Sequence, residues 1–270
     1  MSEPLRASDL ARTTTSSLHL QALLTPERMQ GPGFAFAMLP ALRRLYPDRE
    51  ALASAMTRHL AYFATHPVLA GFALGAAVRL EERRAAGEPI PDEEIDARKR
   101  SLASPLAALG DPLFWLTLRP LAGLVGVLAI LLFEPPVANE VDLRVLACPL
   151  LTLLTYNAVA LPFRIAGVAR GYADADRPGA LVRSLRLSEW RVALERAGAV
   201  AFGALIALTM TLLDIGSGGW GDHSGARAAA LAPLVLGGVV GLVGLSRWPG
   251  RCVETALAAL AAAAVLAAIL

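Results

Sequence analysis

The sequence predicts an all-α integral membrane protein, with about five transmembrane helices preceded by N-terminal re-entrant or interfacial helices. Three observations carry this expectation. Of 270 residues, 55% are hydrophobic and 18% charged, with a mean hydropathy of +0.52, whereas soluble domains carry about a quarter charged residues. Five apolar runs, near 113–133, 146–169, 193–213, 228–245 and 253–270, approach the roughly 20 residues that a helix needs to cross a bilayer. Two weaker runs, about 17–42 and 66–78, are short or interrupted by Pro and Gly. Such broken backbone survives at membrane depth only where protein or a water-filled cavity covers it.

In chain order, residues 1–16 are polar and lack the apolar core of a secretory signal, so they read as a short cytosolic arm. Residues 17–112 form a region of re-entrant and amphipathic helices, including RRLYPDREALASAMTRHL at 43–60, an amphipathic helix after Pro47. Residues 113–270 form the transmembrane part, whose last run, ETALAALAAAAVLAAIL, reads as a plain anchor helix. Abundant Ala favours helix and close helix–helix approach.

Orientation follows from the basic residues. Arginines crowd 79–100 (RLEERR, ARKR), 170–191 and the link SRWPGR at 246–251, whereas 134–144 and 214–227 hold few. Positive residues mark cytoplasmic loops, which leaves the N-terminus inside and the C-terminus outside.

Other function classes find little support. A net charge of +2, with basic residues beside hydrophobic ends, fits topology signals rather than nucleic-acid binding. Cys148 and Cys252 form no CxxC or metal-type spacing, so a disulfide framework is not expected. His19, His59, His66 and His223 show no metal motif, and no Walker A loop, dinucleotide fingerprint or GxSxG elbow occurs. Catalytic signatures are thus scarce, and no metal or cofactor is expected. EEIDAR at 93–98 resembles the first motif of intramembrane metal-dependent proteases, but it lies in the most polar loop and is better explained as a solvated helical face. Lys99 is the sole lysine, read as genomic preference for arginine.

Polar residues within apolar sequence are the candidates for function. Asp111 precedes Pro112 at the mouth of the 113–133 run, Arg119 and Pro120 lie inside it, and the following span holds Asn157 and Arg164. A central Arg or Asp costs about 2.5–3.5 kcal/mol on insertion scales. Two explanations stand: the arginines satisfy backbone carbonyls or pair with Asp111 at a helix break, or they line a polar pathway. Glu27, Arg28 and Gln30 follow Thr25-Pro26, where Thr25 is expected as an N-cap with Pro26 in the first turn, ahead of a helix-breaking Gly31-Pro32-Gly33. They are candidates for a polar site or a subunit seam.

These strings also carry a resemblance. ERMQ with GF at 27–34, PALRRLY at 40–46, RHLAYF and THP at 58–67, and GDPLFW with RP at 110–120 are similar to the IID membrane subunit of the mannose family of sugar phosphotransferase systems. The match is strong over about 8–125 and continues through Tyr156, Asn157, Arg164, Gly167, Gly171 and Tyr172. The resemblance implies a non-catalytic subunit that pairs with a IIC subunit to translocate sugar, coupled to phosphorylation by soluble IIA and IIB proteins that carry the phosphate. No phosphorylated residue is expected on this chain. It adds Thr65 and His66, within THP, to the candidate substrate or interface residues, and alternating access around broken helices is the implied mechanism.

Departures from the family pattern are Ala64 where Asn is common, Ala103-Ser104 and Ala108 where Met-Gly and Gly are usual, Leu116 for Gly, and a short loop at 214–227. They favour, as the alternative, a non-transporting membrane scaffold or regulatory subunit derived from IID.

Overall fold

The computed structural model describes residues 5–132 and 146–217, and these residues are helical apart from turns and two isolated bridges. They fall into two compact units, Met1–Pro112 with Ala158–Leu187, and Leu113–Asn157 with Ser188–Leu270.

The first unit contains α1 (Ala7–Ser17), α2 (Gly31–Leu45), α3 (Arg49–His59), α4 (Ala70–Ala85), α5 (Asp92–Gly110), the later part of α7 (Ala147–Ala173) and α8 (Pro178–Ser184). Helix α1 covers most of the polar N-terminal arm and packs on α2, which in turn packs on α3 and α4. The core is formed by fully buried Phe34, Met38 and Leu42 of α2, Phe72, Leu74 and Leu80 of α4, and Ile95, Leu102 and Leu106 of α5. Helix α3 begins after Pro47 as expected, with the Asp48 carboxylate accepting from the Ala51 N–H at 2.9 Å, an N-cap that satisfies one orphan donor.

Three expectations are corrected here. Gly31-Pro32-Gly33 does not break a helix but starts one, because the first turn needs no N–H from proline. The two glycines permit contact with backbone: a Cβ on Gly31 would lie 2.3 Å from the Ala61 carbonyl oxygen, and one on Gly33 1.9 Å from that of Leu20. The 17–42 run is accordingly an irregular segment followed by α2, with Pro40 inside the helix. In the 66–78 run, Gly71 and Gly75 leave α4 unbroken. Gly71 faces Gly167 of α7, a Cβ on Gly75 would sit 2.0 Å from the Val168 carbonyl oxygen, and one on Gly171 2.1 Å from that of Phe72. Two small-xxx-small stripes thus bring the helix backbones together.

The second unit holds residues 113–118 of a π-helical stretch (Asp111–Leu118), α6 (Arg119–Leu132), the start of α7 and most of α9 (Leu187–Ser217). Instead of the helix break expected at Asp111-Pro112, α5 runs into α6 through this widened turn, which accommodates a residue without an N–H. Helices α6 and α7 approach at Gly126, where a Cβ would meet Thr152 Oγ1 at 2.2 Å.

Among the described residues, two stretches, Asp92–Leu131 and Ala147–Ala173, are long and apolar enough to cross a membrane. Helix α9 covers the 193–213 run and continues to Ser217, into the segment expected as a loop from 214. The runs at 228–245 and 253–270, and the loops at 134–144 and 246–251, lie outside the described residues.

Candidate functional site

The predicted residues Gln30, Thr65 and His66 meet in the first unit. The chain enters α2 through a tight turn in which Thr25 and Met29 exchange backbone hydrogen bonds, at 2.8 and 3.1 Å. Met29 has a φ of 51°, a left-handed conformation rare outside glycine. The turn replaces the expected N-cap: the Thr25 hydroxyl accepts from the Arg28 N–H at 3.2 Å, but no helix follows before Gly31. The segment before α4 runs alongside, with Phe63 N–H donating to the Arg28 carbonyl and Gln30 N–H to that of Phe63, at 3.3 and 2.8 Å.

The Gln30 side chain extends this pairing by one rung. Its amide nitrogen donates to the Thr65 carbonyl at 2.8 Å, and its amide oxygen accepts from the Thr65 N–H at 3.1 Å. The Thr65 hydroxyl then donates to the Ala103 carbonyl of α5 at 2.9 Å. His66 is buried, its Nδ1 accepting from the Val68 N–H at 3.3 Å. Gly110 lies against its ring, since a Cβ there would stand 2.7 Å from the His66 Cβ. Arg164 of α7, half-buried, lies near enough for its charge to act on the ring. Turn, THP segment, α5 and α7 therefore converge on one polar seam.

The other candidates stand elsewhere. Glu27 and Arg28 are exposed on the outer edge of the turn. Asp111 is exposed one residue beyond Gly110 and makes no ion pair among the described residues. Arg119 and Asn157 belong to the second unit. There Arg119 lies 5.3 Å from the centre of the Trp115 ring, and Asn157 donates to the Leu153 carbonyl one turn earlier at 2.9 Å. Leu116 is 74% exposed. Glu93 and Glu94 of EEIDAR are exposed, as expected of a solvated face, while Arg98 donates to the Ala175 carbonyl. The described residues contain no cluster of metal-ligating side chains.

Sequence reading missed a second polar cluster. Glu81 of α4 has no exposed surface, yet its carboxylate accepts from Arg58 Nε at 2.7 Å, His59 Nε2 at 2.8 Å and the Tyr46 hydroxyl at 2.6 Å. Burial alone would raise its pKa, but the His59 and Tyr46 hydrogen bonds and the Arg58 charge bring it down to about 2. For His59, burial prevails and holds the ring below its ordinary value. It therefore donates Nε2–H as a neutral ring, and Arg58 supplies the compensating charge. Lys99, 3% exposed, bonds to Asp96 at 3.0 Å and lies 5.2 Å from the centre of the Phe34 ring. Phe34 also packs on Phe63 and His59, with ring centres 4.4 and 5.9 Å away, and so joins this cluster to the seam. One signal was present: a chain that otherwise uses only arginine kept a single lysine, at a buried site.

A profile described as the PTS system mannose/fructose/sorbose family IID component matches residues 4–215. The chain is 41% identical over 170 residues to the mannose-specific EIID component of Escherichia coli K12, covering 63% of this chain and 56% of that protein. It is 35% identical over 165 residues to the sorbose-specific EIID component of Lacticaseibacillus casei, covering 61% and 55%. It is 30% identical over 186 residues to the fructose permease IID component of Bacillus subtilis 168, covering 69% and 64%. The matched segment spans little more than half the length of the first two relatives. A solved complex of the mannose transporter ManYZ with a microcin contains a similar chain, with a TM-score of 0.57 and 34% identity over 76% of this chain and 72% of that one. A second membrane-protein structure gives a TM-score of 0.61 at 35% identity, over 76% and 71%.

Proposed function

Because the chain belongs to the mannose/fructose/sorbose family of phosphotransferase-system IID components, we propose that it is the IID half of a sugar permease. It works with a IIC subunit in the membrane, and soluble IIA and IIB proteins supply the phosphate. The observation that carries this is a family match over residues 4–215, which include the seam around Gln30, Thr65 and His66. The chain's part is binding and geometry rather than catalysis.

Gln30, Thr65, His66 and Arg164 serve as the framework of the substrate-side or partner-side surface. Glu27, Arg28 and Asp111, being exposed, offer charged groups to the sugar or the IIC subunit, and Arg119 and Asn157 do so from the second unit. The 17–112 region provides this framework and 113–270 the transmembrane scaffold.

The protein resides in the bacterial inner membrane as a multi-pass chain, N-terminus inside and C-terminus outside. The meeting of two arginine-rich segments supports this orientation. Arg83 of α4 bonds to Asp176 beyond α7 at 3.0 Å, and Arg79 to the Tyr172 hydroxyl at 3.0 Å, so 79–100 and 170–191 share one end of the first unit. The positive-inside rule places that end in the cytoplasm.

The test is phosphoenolpyruvate-dependent uptake of labelled mannose, fructose and sorbose by membranes carrying this chain, its IIC neighbour and the IIA and IIB proteins. Uptake that disappears when this chain alone is omitted is the expected result. A stable complex with IIC that moves no hexose would replace the proposal with the non-transporting scaffold.

A further inference from the structure

Between α1 and α2 lies an open cleft of about 700 Å³ whose polar wall is formed by Asp9, Arg12, Arg43 and Arg44. Three arginines against one aspartate leave it with an excess of positive charge. The aspartate is already engaged: buried Asp9 accepts from the Arg6 N–H at 2.9 Å, closing the first turn of α1, and from Arg44 Nε at 3.2 Å. Arg12 and Arg43 are exposed and have no carboxylate partner among the described residues.

Apolar side chains complete the lining, with Phe36, Leu39 and Pro40 on the same helix, α2, as Arg43 and Arg44. Phe36 is 40% exposed and meets the His19 ring edge-on at 6.4 Å, and next to His19 stands Leu18, 50% exposed. Leu23 and Leu24, a few residues on, are also exposed, at 45% and 53%. A soluble anion would use the arginines and leave this surface in water. A ligand with an anionic head and a hydrocarbon tail uses both.

We propose that this cleft binds an anionic phospholipid of the bilayer surface, its phosphodiester held by Arg12 and Arg43 and its acyl chain lying over Phe36 and Leu18. Guanidinium groups suit phosphate through paired N–H donors, and basic grooves beside apolar helix surface are how membrane proteins select anionic headgroups. The site is separate from the Gln30–Thr65 seam. It depends on membrane residence but not on sugar transport.

The full chain, purified in non-ionic detergent with any subunit that accompanies it, is titrated with palmitoyl-oleoyl phosphatidylglycerol and bound lipid is counted by native mass spectrometry. Phosphatidylcholine with the same chains, and inorganic phosphate, are the comparison ligands. Phosphatidylglycerol should bind at least about tenfold tighter than phosphatidylcholine, and millimolar phosphate should not displace it. Arg12→Gln and Arg43→Gln should each weaken phosphatidylglycerol about fivefold, and together about 25-fold, as expected for one surface charge each. Arg100→Gln, an equal charge change on α5, should have no effect. Arg12 is exposed and unbonded, so its variant does not endanger folding, and the Lys variants at both positions should retain most of the binding.

Equal binding of the two lipids, displacement by phosphate, or undiminished phosphatidylglycerol binding by the Arg12→Gln chain would each overturn the proposal. The last result would leave the cleft to an acidic protein surface instead. Sugar uptake is not read in this experiment, so failure here and failure of the permease function remain distinct.

Discussion

Gln30 and Thr65, 35 positions apart, bond as two strands would: the Gln30 side-chain amide both donates to and accepts from the Thr65 backbone, at 2.8 and 3.1 Å. Both residues are buried, so water cannot replace either bond. The pairing holds the THP segment against the turn that leads into α2. Gln30→Ala should leave two buried backbone groups unpaired, at about 1–3 kcal/mol for each. The expected outcome is a lower melting temperature in detergent and reduced sugar uptake. Gln30→Glu keeps the acceptor but lacks the donor, and should fall between. A Gln30→Ala protein that melts with the parent would refute this role.

Glu81 should tolerate loss of charge compensation poorly. Its carboxylate and the Arg58 guanidinium, 9% exposed, form a buried pair. Glu81→Ala would leave that guanidinium only its half-exposed partner Asp92, at 3.1 Å, so the cost should approach, without reaching, the about 3–5 kcal/mol of a fully broken buried pair. Arg58→Met with Glu81→Gln removes both charges and should recover part of the loss. Thermal melts of the single and double variants check it, and strict additivity would argue against a coupled pair.

The same cluster sets an acid limit. The Glu81 carboxyl falls from 4.5 to about 2 on folding, so its stabilisation, about 3 kcal/mol, is complete above pH 4.5 and lost as pH drops towards 2. The His59 ring lies below its ordinary 6.5 in the fold. Falling pH therefore protonates the unfolded chain first and weakens the folded one from about 6.5 downward. Both slopes have one sign: acid destabilises. Melting temperature against pH should decline below 6.5, and His59→Phe should make the upper part shallower without abolishing it, because burial also holds His66 down, at about 4. A flat profile between 6.5 and 4.5 would exclude the His59 contribution.

Glycine variants should divide by position. A Cβ on Gly75 would meet the Val168 carbonyl oxygen at 2.0 Å, so Gly75→Ala must part α4 from α7 and should lower the melting temperature by several degrees. Gly123 and Gly198, also helical, have nothing within 4 Å of the added carbon. Alanine there gains helix propensity of up to about 1 kcal/mol, so these variants should melt at or above the parent. Equal effects at all three positions would contradict the close approach of the two helices.

Much of this was legible locally. Apolar run length announced α7 and α9, Pro47 announced α3, and the strings ERMQ, THP and GDP carried both the family and residues of the seam. What misled were single-residue rules applied without neighbours. Gly31-Pro32-Gly33 looked like a helix breaker, and Gly75 like an interruption. Each is a place where another backbone comes close, and that information is held by Ala61, Leu20 and Val168, far along the chain.

The sequence alone therefore determined the helical class and the location of candidate groups, because hydrophobic length and motif spacing are properties of contiguous residues. Only the tertiary structure decided that Gln30 reaches Thr65, and that Glu81, in an unremarked helix end, gathers Arg58, His59 and Tyr46. The reason is physical: a buried polar group is tolerable only with its partners in place, and partners 20 or more positions away are chosen by packing rather than by local pattern.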